Sequence, residues 1–181
     1  MSSNEISIST ERLNLRSIKL SDAESILRYR SSSEVYKYQN WKPKTIEDVE
    51  IFIKESTSSE PNIPGTWHQL SIFIKENNML IGDIGIHFID DLQVEIGFAL
   101  STEYQGKGYA TEAVVGVMNY LFCTLKKHRV TASVDPRNIK SISLLNRIKM
   151  RKEAHFKKSY WFNGEWVDDI VYAILAEEWI K

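Results

Sequence analysis

The chain has a single cysteine, Cys123, among 181 residues, which excludes an intrachain disulfide and any fold stapled by crosslinks. Leu121, Phe122 and Leu125 surround it in sequence, so the thiol is expected to pack in the core rather than react, because a reactive thiol needs accessible, electropositive surroundings. Neither sign of charge dominates: the formal net charge is −1. Without a basic field the chain has no electrostatic footprint for nucleic acid or anionic membrane, and neither partner is expected. No apolar run approaches the length that spans a bilayer, and the opening MSSNEISIST lacks the basic-then-apolar pattern of a leader; the expected location is the cytoplasm. The four histidines, His68, His87, His128 and His155, are scattered without a metal-ligand spacing, and no metal is expected. Internal repeats and low-complexity tracts are absent as well.

What is there is an ordinary globular composition, 43% hydrophobic and 26% charged, on a length that fills one core but not two. Residues 1–181 are therefore read as a single domain. "ERLNLRSI" alternates Leu13 and Leu15 against Arg12, Asn14 and Arg16, which predicts a strand. Ser21 with Glu24, and Thr45 with Asp48, have capping-box spacing and predict two helices, with the aromatic stretch "EVYKYQNWKPK" between them. "TSSEPNIPG" is a loop. Three strand-like runs follow, "TWHQLSIFIKE", "MLIGDIGIHFI" and "VEIGFALS", joined by short links at Asn77-Asn78 and Asp90-Asp91, which predicts an antiparallel meander.

In "VEIGFALS" the bulky Val94, Ile96, Phe98 and Leu100 alternate with Glu95, Gly97 and Ala99, so the Glu95 carboxylate points to an otherwise small-residue face. Directly after it, "EYQGKGYATEA" places two glycines before an amphipathic helix whose apolar positions run Ala110, Ala113, Val114, Val117, Met118, Leu121 and Phe122. A helix N-terminus offers free N–H groups and a partial positive charge, and glycines let a ligand approach them closely, so this stretch suits an anion such as phosphate. Gly-x-x-x-x-Gly-Lys followed by Ser or Thr is absent, which excludes a P-loop. A dinucleotide fingerprint stays open: Gly106 and Gly108 open a helix after a strand, and Asp135 ends the next strand, although Thr111 stands at the third glycine position.

Gln105, Gly108 and Ala110 spell Gln-x-x-Gly-x-Ala, which resembles the pyrophosphate-binding motif of the GCN5-related N-acetyltransferases (GNAT). "ERLNLRSIKLSDAESI", "VEIGFALSTEYQGKGYATEAV", "NIKSISLLNRIKM" and "NGEWVDDIVYAILAEEW" resemble, in order, segments of the RimJ/RimL branch of that superfamily. The resemblance implies a mixed α/β fold: a strongly twisted mixed sheet of seven strands with helices on both faces. Its element order would be strand, two helices, three strands, helix, strand, helix, two strands. It implies acetyl-CoA as cosubstrate, held where two parallel strands splay. Backbone of Gln105, Gly106, Lys107, Gly108, Tyr109, Ala110 and Thr111 would receive the pyrophosphate; Phe98, Leu100 and Asn138 would pair with the pantetheine arm; Ser141 would lie near the sulfur.

A protonated amine has no lone pair with which to attack a thioester, so a base is needed. Glu95 is the candidate base, through a water, and Ser141 the candidate partner of the leaving thiolate, since Leu145 stands where many relatives have a tyrosine. Tyr36, Tyr38 and Trp41 are candidate walls of the acceptor site, and Glu34, Asp90 and Asp91 are acids that could attract a cationic amine. The acceptor implied is a primary amine, either the N-terminal amine of a ribosomal protein or a small molecule, and a homodimer is left open. A non-catalytic acyl-CoA sensor and a partner-binding module are the alternatives outside catalysis. One departure from the family pattern is Lys149-Met150 in place of Gly-Phe, which would force Lys149 into a glycine's turn.

Overall fold

The computed structural model describes residues 5–179. Eight strands form one sheet: β1 (Ser7–Ser9), β2 (Leu13–Ser17), β3 (Thr66–Ile74), β4 (Leu80–Phe88), β5 (Gln93–Leu100), β6 (Arg129–Val134), β7 (Arg151–Phe162) and β8 (Glu165–Leu175). Their order across the sheet is β1-β2-β3-β4-β5-β6-β8-β7. Every neighbouring pair is antiparallel except β5–β6, which is parallel. The eighth strand, against seven expected, is β1; its three residues, Ser-Ile-Ser, are too few to show alternation.

The helices are α1 (Ala23–Arg30), α2 (Ser33–Tyr36), α3 (Ile46–Ser56), α4 (Tyr109–Asn119), α5 (Ile139–Arg147) and α6 (Ala176–Trp179). Helix α2 is an additional short helix that overlaps the start of the aromatic stretch between the two expected helices. Thr45 and Asp48 do form the capping box of α3: the Asp48 N–H donates to Thr45 Oγ1 (3.2 Å) and the Thr45 N–H to Asp48 Oδ2 (3.0 Å). The Ser21–Glu24 box does not form. The chain enters α1 through a tight turn at Leu20–Asp22 instead, and the Asp22 side chain caps that turn by taking the Lys19 N–H. Buried Asp22 accepts from the Lys19 N–H (3.0 Å), from both terminal guanidinium nitrogens of Arg16 (2.8 and 2.7 Å) and from the Ser71 hydroxyl (2.9 Å). With four donors on its oxygens, the carboxylate fixes the turn that leads into α1.

The sheet has a core on each face. On the first, Leu13, Leu15, Leu70, Ile72, Ile84, Ile86, Val94, Ile96, Val130 and Ala132 meet Val114, Val117, Met118 and Leu121 of α4 and its extension, and Leu144 and Leu145 of α5. On the second, Ile18, Ile26, Val49 and Ile53 pack on Phe73, Leu80 and Ala99. The predicted period of α4 is thus correct, but Cys123 is exposed. After Asn119 the helix widens into a π-turn over Tyr120–Thr124; Leu121 and Phe122 stay buried, and Cys123 falls on the outward row with Asn119.

The smaller second core is fastened to the sheet by a buried polar cluster. Arg30 meets Asp83 through Nε (3.0 Å) and Nη2, while Tyr29 and Gln69 donate to the same carboxylate. Burial, together with the nearby Asp83 carboxylate, pushes the Tyr29 phenol well up, which keeps it a donor. No helix among the described residues is long and apolar enough to cross a membrane.

Candidate active site

The parallel pair β5–β6 is short. Gln93, Val94 and Glu95 face Arg129, Val130 and Thr131, and the pairing ends there. Strand β5 runs on to Leu100 beside β4, whereas β6 runs on to Val134 beside β8, so the two diverge beyond Glu95 and Thr131. The carbonyls of Leu92 and Val94 point toward β6, taking donors from His128 and Arg129 N–H and from the Thr131 hydroxyl. Period two then turns the polar backbone of Phe98 and Leu100 into the gap. These are the two residues expected to line the cofactor arm. The Leu100 carbonyl accepts from Gln105 Nε2 (3.0 Å), and the Phe98 carbonyl from Gln39 Nε2 (3.3 Å). Each carbonyl keeps a second lone pair for a further donor.

The loop that leaves the gap has the geometry the sequence suggested. Gly106 and Gly108 lie at φ +76 and +82, the left-handed region that glycine enters without penalty, and a side chain at Gly106 would meet nothing within 4 Å. Helix α4 begins at Tyr109 with no acceptor among the described residues for the N–H groups of Gly106 to Thr111, as expected for a first turn. Four cations surround it. Lys107 sits over the Tyr104 ring (5.3 Å), Arg12 donates to the Lys107 carbonyl (3.0 Å), Lys140 to Gln105 Oε1 (2.8 Å), and Arg147 to Thr111 Oγ1 (3.0 Å). Arg12 is fixed by Glu112, at 2.6 Å from its Nε. Open donors, positive φ and converging cations fit a pyrophosphate. Lys107 lies within the motif itself; Lys140 and Arg147 lie on α5 seven residues apart, and their approach to the loop depends on how α5 packs on α4.

Asn138 caps α5, its Oδ1 accepting the Ser141 N–H (3.2 Å). That hydrogen bond places the two residues side by side at the helix entry, and the half-buried Ser141 hydroxyl has no hydrogen bond among the described residues. Asp135, the candidate ribose-binding acid, is engaged by Arg137 at 2.7 Å, and a single parallel pair does not make a doubly wound sheet.

Glu95 stands at the last paired rung of β5–β6, on the face opposite the larger core. Its carboxylate is partly shielded, and burial raises its pKa; His87 opposes the rise, and Asp169 adds to it. Two residues on, Gly97 leaves open space: a side chain there would touch nothing within 4 Å. His87 Nδ1 lies 3.8 Å from Glu95 Oε2. The acceptor-wall candidates are placed less uniformly. Trp41 stacks on Phe52 (4.1 Å), both partly buried against the second core. Tyr36 lies under Lys42 (5.1 Å), which also reaches Phe162 and Asn163 at the end of the β7–β8 hairpin. Tyr38 is half-buried beside Lys37. No hydrogen bond, ion pair or ring contact among the described residues joins any of the three to Glu95. Asp90 is occupied in its own turn by the N–H groups of Leu92 and Gln93.

Known proteins supply the remaining evidence. Residues 12–151 match the acetyltransferase (GNAT) domain family. The chain belongs to the GNAT family of N-acetyltransferases. It is 33% identical over 173 residues to the uncharacterized N-acetyltransferase YnaD of Bacillus subtilis, spanning 95% of this chain and 98% of that one. A shorter match, 31% over 84 residues and 46% of this chain against 43% of the other, is to the Escherichia coli [ribosomal protein uS5]-alanine N-acetyltransferase. Among solved structures, a Bacillus anthracis acetyltransferase of the GNAT family superposes with a TM-score of 0.86 at 33% identity, covering 96% of this chain and all of that one. The Mycobacterium smegmatis RimJ in complex with CoA-disulfide superposes with a TM-score of 0.83 over 97% and 90%; at 22% identity it shares the fold. The GNAT assignment replaces the dinucleotide reading.

Proposed function

We propose that this GNAT protein works in the cytoplasm and transfers the acetyl group of acetyl-CoA to a primary amine, either a protein N-terminus or a small molecule. The observation that carries the reading is the divergence of β5 and β6 with Glu95 at its apex and the Gly106–Gly108 turn at its exit. In this reading Phe98, Leu100 and Asn138 hold the pantetheine arm, and the backbone from Gln105 to Thr111 holds the pyrophosphate, with Lys107, Lys140 and Arg147 supplying charge. Acetyl-CoA supplies an activated acyl carbon with a good leaving group. Glu95 takes a proton from the acceptor ammonium through one water, which frees the lone pair for attack. Ser141 donates to the leaving sulfur. The open space at Gly97 admits the amine beside Glu95, and Tyr36 and Tyr38 wall it.

Calorimetry with acetyl-CoA and NAD, followed by thiol release with a panel of amines and ribosomal-protein N-terminal peptides, tests the reading. Micromolar binding of acetyl-CoA, none of NAD, and amine-dependent thiol release are expected. Tight binding with no release for any amine would make this chain a sensor, and no binding would remove the site.

A further inference from the structure

Trp67, His87 and Glu95 occupy the same rung of three consecutive antiparallel strands, paired Trp67 with His87 and His87 with Glu95. All three side chains therefore lie on one face of the sheet, the face that carries the open space at Gly97. The indole of Trp67 and the imidazole of His87 are parallel, 4.7 Å apart with 6° between their planes. The stack leaves the ring little freedom to turn, and it aims Nδ1 at the carboxylate, 3.8 Å away. That separation is too long for a direct hydrogen bond but within ion-pair range, and a small side-chain rotation closes it to one. The other ring nitrogen has no hydrogen bond among the described residues, and 27% of the His87 side chain is exposed, so the ring can exchange protons with bulk solvent.

We propose that His87 is a positioning residue that drains the proton from Glu95, with Trp67 holding the ring in register. The proposal rests on Glu95 being the base. The balance is as follows. The acceptor ammonium gives one proton, through water, to Glu95; the carboxyl passes it to the His87 imidazole; the imidazolium releases it to solvent. The amine nitrogen bonds to the acyl carbon, the carbon–sulfur bond breaks, and the second proton lost by the nitrogen ends on the thiol. Imidazole is the side chain suited to this step because one ring nitrogen can take a proton while the other gives one up. A carboxyl that could not pass on its proton would wait for direct exchange from a partly shielded site.

The other ionisable groups on this face are committed or act in the opposite sense. From β8, Asp169 repels charge on Glu95, and its Oδ1 takes the Ser133 hydroxyl (2.6 Å); Tyr160 of β7 feels the same carboxylate. Arg129 of β6 pairs with Glu153, and Asp83 of β4 pairs with Arg30. His87 is thus the basic side chain on hand for Glu95 among the described residues.

The test is the pH profile of kcat/KM for His87→Gln, Trp67→Ala, Trp67→Phe and Glu95→Gln, each shown by calorimetry to bind acetyl-CoA as the parent does. Removing His87 takes away the interaction that pulls Glu95 down, so the acid limb should move to higher pH by about half a unit to one unit, and kcat should fall about ten-fold. Added imidazole-type buffer should restore part of the rate in His87→Gln and not in Glu95→Gln. Trp67→Ala should reproduce part of the limb shift and Trp67→Phe, which keeps a stacking ring, should reverse it. An unmoved limb in His87→Gln, with or without a uniform loss of rate, would overturn the inference while leaving Glu95 as the base. Unchanged turnover in Glu95→Gln would instead overturn the base reading and this inference with it.

Discussion

Burial favours the neutral form of two side chains, moving their pKa values in opposite directions, and each gives a sign that can be measured. Glu95 has its pKa raised above 4.5 chiefly by burial. A carboxyl raised in the folded state favours folding below its ordinary value, and that contribution is lost as pH climbs through the raised value. At neutral pH the ionised Glu95 therefore works against the fold. Glu95→Gln should lower kcat about 100-fold and also raise the melting temperature, with a gain that grows from acid to neutral pH; a pH series of thermal melts beside the rate assay checks both. His68 is the opposite case. Only 2% of it is exposed, Ser17 Oγ is 2.8 Å from Nε2, Nδ1 has no hydrogen-bond partner among the described residues, and burial pulls its pKa below 6.5. An unfolded imidazole then binds more protons than the folded one, so stability rises with pH and is lost as pH falls below about 6.5. His68→Leu should flatten this acid loss in urea midpoints measured between pH 7 and 5. Glu95 was legible in the sequence because alternation along one strand fixes which way it points. His87 and Trp67 were not, since their meeting with Glu95 depends on the register of three strands, which depends in turn on two hairpins.

Helix α5 ends by a rule that a lysine obeys at a cost. The Met150 N–H bonds back to the Leu145 carbonyl and the Lys149 N–H to that of Asn146, both at 3.0 Å, which is the Schellman pattern. Buried Met150 and Leu145 make the apolar contact that accompanies it. Lys149 occupies the left-handed position at φ 68, where a side chain is strained by about 1 kcal/mol. Lys149→Gly should raise stability by about that amount, which for a chain of this size is roughly 2–4 °C in melting temperature, with turnover unchanged. The departure from Gly-Phe was visible in the sequence, and so was its consequence, because a helix end is a local event. The same holds for the glycine turn before α4, the meander and the Thr45 cap. The three-residue β1, the exposed Cys123 and the Asp22 cap were not local: each depends on what another element brings to it, an edge strand, a widened helix turn, or Arg16 and Ser71.

At the scale of the whole molecule, the second core and the proposed cofactor path are joined through one buried ion pair. Asp83 holds Arg30, the Arg30 guanidinium donates to Gln39 Oε1, and Gln39 Nε2 donates to the Phe98 carbonyl at 3.3 Å. The segment after α2 is thereby tied to the strand expected to carry the pantetheine arm. Removing the charge of Asp83 leaves a guanidinium that is 7% exposed without its counterion, and such a loss costs about 3–5 kcal/mol. Asp83→Asn should sit at the low end, since the carboxamide still offers an acceptor. It should also raise KM for acetyl-CoA, because Gln39 is released with Arg30. Gln39→Ala separates the two effects: it leaves the ion pair in place, so melting should change little while KM for acetyl-CoA rises several-fold and kcat stays near the parent's. If KM instead follows stability across both variants, the chain from Asp83 to Phe98 holds the fold together without reaching the cofactor, and the loop and the strand are neighbours only.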